Sequence, residues 1–496
     1  MKFLNEFKSR RSSLVLAVAA VLSSMTGYAL PLPEWRFESA INAESLGIPG
    51  TLLRKVDNMA LCHQRSVDYL FLAAKESGAI LVLRSGRDTS EWSLHQVFVG
   101  SRSYGSTDDS RYRVNHIDLL SSPTGIELAE DCSRFMVTNS DSTGRHSNTL
   151  LFTQALGESV FWSLSPSLVD QSVIEDTGPH RKIADLSGPE GLAVDFQTGQ
   201  AVVGAFASSS LHLLNINSTS EGQITSLQRP FTFAFQNAET AGLNGINRVV
   251  KADQHIYTFS PLSGRIQHYQ LNDQRLAYTN SYTARSQSLQ RPVAVEWTGV
   301  LNRQLLVADR DLQSVVIFNQ RENGSVEEAQ VVSDIDRPVD MVLSHNKQSA
   351  YLITDSAPYI RGLAANSEKH WLKQSAGVLG ITDLGLYTEL PRSVELSRQG
   401  GTLVIAGRRN DAMDDTLVFY SRIVDVMDEG DSPEDKHSPS YVNPSYYIVP
   451  LSILTIVGMT VVGSIVEYKK GCINSNFCGS HRGLLQINNL NIKYSP

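Results

Sequence analysis

The chain has 496 residues, 43 basic against 51 acidic, and a formal net charge of -8. Hydrophobic residues make up 41% and charged residues 19%, the balance of a folded chain and not of a disordered one. With no large basic block, the charge argues against nucleic acid as a partner.

Lys2, Lys8, Arg10 and Arg11 precede an apolar run over residues 14–22, and Gly27-Tyr28-Ala29 supplies small residues for cleavage. This reads as a secretory signal peptide over residues 1–29, removed after Ala29. The run is short for a bilayer span. Ser12, Ser13 and Leu14, behind the Arg10-Arg11 pair, fit ordinary export better than a twin-arginine signal.

Residues 35–427 are built on a repeated unit. It is clearest at residues 188–216, GPEGLAVDFQTGQAVVGAFASSSLHLLNI. Three strands are expected there: residues 192–195 after a Pro-x-Gly phrase, 201–206 after a Thr-Gly turn, and 211–216 after serines. A fourth falls at residues 223–227. One such sheet is marginal in water and must stack its apolar faces on copies of itself. The middle strand recurs at residues 69–74, 135–140, 255–260, 304–309, 350–355 and 402–407, each with a partner strand behind it. Leading strands open on Pro123-Thr124-Gly125-Ile126, Pro292-Val293-Ala294-Val295, Pro338-Val339-Asp340-Met341 and Pro391-Arg392-Ser393-Val394, and in the fourth unit on Leu243-Asn244-Gly245-Ile246. Drifting spacing with constant strand content marks a propeller, whose rim loops absorb insertions. The expected fold is all-β, a seven-bladed β-propeller. The first unit is the least regular, which leaves six or eight blades open.

Residues 428–445, DEGDSPEDKHSPSYVNPS, cannot bury a core and read as a solvated acidic stalk. Residues 446–466 then carry no charge, and Glu467, Lys469 and Lys470 end the run. At helical rise it measures about 31 Å, enough to cross a membrane. Tyr446 and Tyr447 sit where an interfacial belt belongs, and the lysines place a short tail, residues 467–496, in the cytoplasm. The expectation is a single-pass membrane protein with its propeller periplasmic or extracellular.

Cys62 and Cys132 are the only cysteines before the span, and an exported chain permits a disulfide between them. Cys472 and Cys478 lack the spacing of a redox or zinc pair.

Motifs of catalysis are missing. The sequence holds no GxSxG, P-loop, HExxH or paired CxxC, and its 12 histidines are scattered. It points to no catalytic residue and no cofactor. The last three units instead place Arg291, Arg310, Arg337, Arg392, Arg408 and Arg409 at strand starts and turns expected on one rim. Asp309, Asp311, Asp340, Asp355 and Asp411 lie among them. Such charges either pair across loops, each pair contributing little, or form an anion-binding funnel. Arg291, Arg310, Arg337, Arg392 and Arg408 are the candidate ligand-binding residues.

The phrases GPEGLAVD and QLLVADRDLQSVVIFNQ resemble NHL and YVTN-type propeller repeats, a resemblance covering residues 58–420. It implies the fold; propellers of this kind bind proteins or carbohydrates, and some are lactonases. The gluconolactonase-type branch implies a divalent cation held at the axis by Glu, Asn and Asp. Glu190, Asn244 and Asp340 fall at or near the matching positions, although Val293 stands on the blade between. Oxygen donors of this kind suit calcium. The expected function is therefore ligand or protein binding by a membrane-displayed propeller. A membrane-tethered, calcium-dependent lactonase-like hydrolase is the alternative, and a scaffold of an envelope complex is the third reading.

Overall fold

The computed structural model describes residues 32–423, except 87–90, 101–111, 141–146, 155–159, 166–185, 219–223, 229–231, 234–243, 273–274, 287–288, 301 and 375–378. The expected signal peptide, stalk, membrane span and tail lie outside the described residues. Among the described residues, no helix is long and apolar enough to cross a membrane.

Seven sheets, each of four or five strands, form seven blades. Their innermost strands are Val56–Gln64, Pro123–Leu128, Pro189–Asp195, Arg248–Ala252, Pro292–Trp297, Pro338–Leu343 and Leu390–Leu396. Each packs on the next, and the seventh on the first, so the ring closes. Blade 1 is irregular as expected: Arg113–His116 adds to it in parallel with Trp92–Val99. In blade 4 the expectation needs correcting. The innermost strand begins at Arg248, and Asn244 and Gly245 form a turn before it.

Strand alternation explains why the blades stack. Along Gln304–Asp309, Leu305 and Val307 pack toward blade 4, while Leu306 and Ala308 pack toward blade 6. A strand buried on both faces reads as a continuous apolar run, with successive side chains serving opposite neighbours. Among the described residues, seven apolar clusters fill the seven interfaces between blades.

Closure uses the chain's beginning. Trp35–Ile41 pairs antiparallel with Thr416–Arg422 and becomes the outer strand of blade 7. Trp35 is 2% exposed, its ring edge-on to Tyr351 at 5.6 Å, and Phe37 stacks on Tyr387 at 4.7 Å. A second clasp is covalent. Cys62 and Cys132 form a disulfide, with Cα atoms 5.9 Å apart, that joins the innermost strand of blade 1 to the turn before blade 2's middle strand. Such a bridge stabilises a fold typically by about 2–4 kcal/mol.

Candidate functional site at the mouth of the central channel

One irregularity repeats around the ring. In six blades the pairing slips near the start of the innermost strand, at its second residue in five and its third in blade 7, so that the ladder skips Asp57, Thr124, Glu190, Val293, Val339 and Arg392. A bulge bends its strand and re-aims the side chain it frees. All six residues line one cavity of about 560 Å³, on the face where the innermost strands begin. Blade 4 has no slip and contributes Asn247 and Arg248 to the same cavity. This is the mouth. A second cavity of about 560 Å³, lined by residues of all seven innermost strands, is the central channel. Glu190 and Arg248 line both cavities and mark the neck between them.

Small residues let the strands converge on the axis. A Cβ added to Gly125 would stand 3.1 Å from Glu190 O of the next innermost strand, and one added to Gly191 would meet Val249 Cγ2 of the next at 2.8 Å. Below these positions the channel turns acidic. Glu127, Glu296 and Glu395 each stand four residues after the first proline of their strand and line the same cavity. Burial pushes Glu127 up to about 7; Glu296 adds to the shift and Arg398 opposes it. Burial likewise raises Glu296 to about 7, opposed by Lys347 and Arg248 and reinforced by Asp340. Glu395 is raised well above the usual range by burial and then by Glu296, Asp340 and Glu127. Burial also raises Asp340, whose Oδ2 accepts hydrogen bonds from Val394 N at 3.0 Å and Ser393 Oγ at 3.1 Å. Neighbouring carboxylates in an enclosed site cannot all ionise cheaply.

Sequence reasoning missed these three glutamates. Their common offset from the strand-opening proline was the signal that could have found them.

The expected arginine funnel divides in two. Arg291 and Arg392 line the mouth. Arg392 Nε stands 3.5 Å from the buried Asp415, near which Arg408 also places its charge. Arg310 and Arg337 instead converge on Asp355 at 2.7 and 3.2 Å and line neither cavity. Arg409 pairs with Asp411 at 3.1 Å. Asp309 serves the backbone: its carboxylate accepts from Gln290 N at 2.7 Å, Arg291 N at 3.0 Å and Leu312 N at 3.1 Å. The aspartate closing this repeat phrase is therefore a latch between the strand-leading loop and the following turn.

Cations outnumber carboxylates around the mouth, with Lys75, Arg248, Arg291 and Arg392 against Asp57, Glu190 and Asp311. Lys75 Nζ lies 3.2 Å from Asp57 and 3.5 Å from Glu190, so it neutralises that side. Among the described residues, Arg248 and Arg291 have no ion pair within 4.0 Å. Beside them the buried Asn247 Oδ1 accepts no hydrogen bond, while its Nδ2 donates to Pro292 O at 2.8 Å.

The three positions matched to a cation are placed differently. Glu190 is held by Lys75, Asp340 is bonded to blade 7, and Asn244 stands in an exposed turn outside both cavity linings. Among the described residues, no group of three His, Cys, Asp or Glu side chains is arranged to hold a metal. Asn244 therefore does not join Glu190 and Asp340 in one set of oxygen donors.

No protein family and no curated protein matches the chain. Solved structures of similar shape include a putative 6-phosphogluconolactonase from Bacteroides fragilis, 10% identical, covering 65% of this chain and 83% of that one, with a TM-score of 0.47. The periplasmic gluconolactonase of Pseudomonas aeruginosa is 11% identical, covering 64% and 84%, with a TM-score of 0.46. A chain of a mitotic checkpoint complex is 12% identical, covering 80% and 99%, with a TM-score of 0.48. The class that the strands themselves define is a seven-bladed β-propeller.

Proposed function

We propose that this is a single-pass membrane protein that displays its propeller outside the cytoplasm and binds a small anionic ligand in the mouth. The observation that carries the binding reading is Arg248 at the neck with Arg291 beside it, both without an ion pair among the described residues. A guanidinium in a recess offers a fork of donors to a carboxylate or phosphate, and that contact is stronger than one between neutral groups. The topology rests on the sequence alone, on the leader, the uncharged run at residues 446–466 and the lysines after it.

Two measurements test it. Saturation-transfer NMR on the full chain with acetate should detect binding that Arg248→Ala weakens about tenfold, the effect of one charge-assisted hydrogen bond. Equal binding by the variant would remove the mouth from consideration. Protease added to intact cells should digest the propeller and spare a small C-terminal fragment; a fully protected propeller would reverse the topology.

A further inference from the structure

The mouth is not uniformly polar. Phe206, in the turn after blade 3's middle strand, and Pro261 and Leu262, in the turn after blade 4's, line its rim. Leu262 is 62% exposed; a lone exposed leucine is ordinary, and a cluster of apolar side chains beside cations is not. These side chains gather at one place. A Cβ on Gly245 would stand 2.9 Å from Leu262 Cδ1 and 3.0 Å from Phe206 Cε2. Gly245 has φ 70, the left-handed region glycine occupies without strain, so the Asn-Gly turn leaves room for both side chains to lean over it. The bulged residues of the next two blades, Val293 and Val339, extend the apolar arc. Arg248 and Arg291 belong to blades 4 and 5, within the same arc.

From this juxtaposition we infer that the mouth selects amphipathic anions, a carboxylate or similar head on Arg248 and Arg291 with an apolar aryl or alkyl body against the Phe206–Leu262 rim. The inference rests on the anion-binding reading above and goes beyond it in naming the ligand class. An inorganic anion would leave the rim exposed. A neutral apolar molecule would bring the guanidinium groups no counter-charge and strip them of water. One molecule carrying both parts satisfies both walls.

The test compares acetate, 4-phenylbutyrate and 4-phenylbutylamine on the full chain by saturation-transfer NMR. The head alone, head with body, and body with the opposite charge are thereby separated. Phenylbutyrate is expected to bind at least about tenfold more tightly than acetate, as a few buried methylene-sized groups provide. The amine should bind more weakly than phenylbutyrate. Leu262→Ser should weaken phenylbutyrate about fivefold and leave acetate unchanged; Leu262 is too exposed for this substitution to unfold the chain. Acetate and phenylbutyrate binding equally, or Leu262→Ser without effect, would overturn the amphipathic selection while leaving an anion site standing. Binding of neither anion would remove both.

Discussion

Trp35→Ala is expected to lower the stability of the propeller by about 3–5 kcal/mol, the usual cost of emptying a buried indole site. Trp35 lies in the strand that closes the ring, 2% exposed, in the cluster between blades 6 and 7 with Tyr351, Leu379 and Tyr420. Among the described residues its strand has one ladder neighbour, Thr416–Arg422, so loosening it uncovers a blade edge of backbone groups. Such an edge recruits other chains, and the variant should therefore aggregate below its unfolding transition. Phe37, stacked on the half-buried Tyr387, is the control: Phe37→Leu should cost less. The comparison is made by urea denaturation followed by tryptophan fluorescence and light scattering. A Trp35→Ala variant as stable and monomeric as the natural chain would mean that the first strand does not hold the ring shut.

Glu296→Gln should stabilise the protein at pH 8 and leave it unchanged near pH 4. The carboxyl has an ordinary value of 4.5 and is raised to about 7 in the folded chain, chiefly by burial. The folded state therefore binds this proton more tightly than the unfolded state. The stability that Glu296 contributes is complete below the ordinary value and is lost as pH rises through about 7. Above that, ionising the group in the channel costs about 3 kcal/mol, which glutamine does not incur. His268 works in the opposite direction. Burial lowers it to about 4, with His255 reinforcing the shift, so stability tied to it falls as pH drops below its ordinary 6.5. The two slopes oppose each other in the natural chain. For that reason the measured quantity is the difference between variant and natural protein at each pH. A constant difference from pH 4 to pH 8 would show that Glu296 titrates normally.

How much of the fold was legible depends on where each signal lay. The middle strands at residues 255–260 and 304–309 were read with the observed bounds, because buried strands are dense in β-branched and aromatic residues and end at turn signals. Leading strands opening on proline were equally plain. The closing strand was not, since Trp35–Ile41 is one isolated segment whose partner lies at the far end of the ring. Local pattern carries no information about so distant a pairing. Blade 4 was misplaced by a few residues because its Asn-Gly turn imitates the opening phrase of the other blades. Arginines on the rim were found from their places at strand starts and turns, except Arg248, which the misplaced start of blade 4 hid; which of them lack an ion pair depends on aspartates brought from other turns. Asp355 takes Arg310 and Arg337, whereas Arg291 and Arg248 are left without such a partner among the described residues. The six bulges that shape the mouth leave no mark in the sequence beyond the spacing of the opening phrase.

Hydrogen exchange of the full chain with and without 4-phenylbutyrate tests most directly whether the mouth is the ligand site. Protection is expected at the innermost-strand starts around residues 190, 248, 292 and 338 and in the turn holding Leu262, all of which surround the mouth. The opposite end of the channel, around Glu130, His345 and Arg398, should exchange as before. Protection confined to that opposite end, or to the outer strands of the blades, would contradict the account.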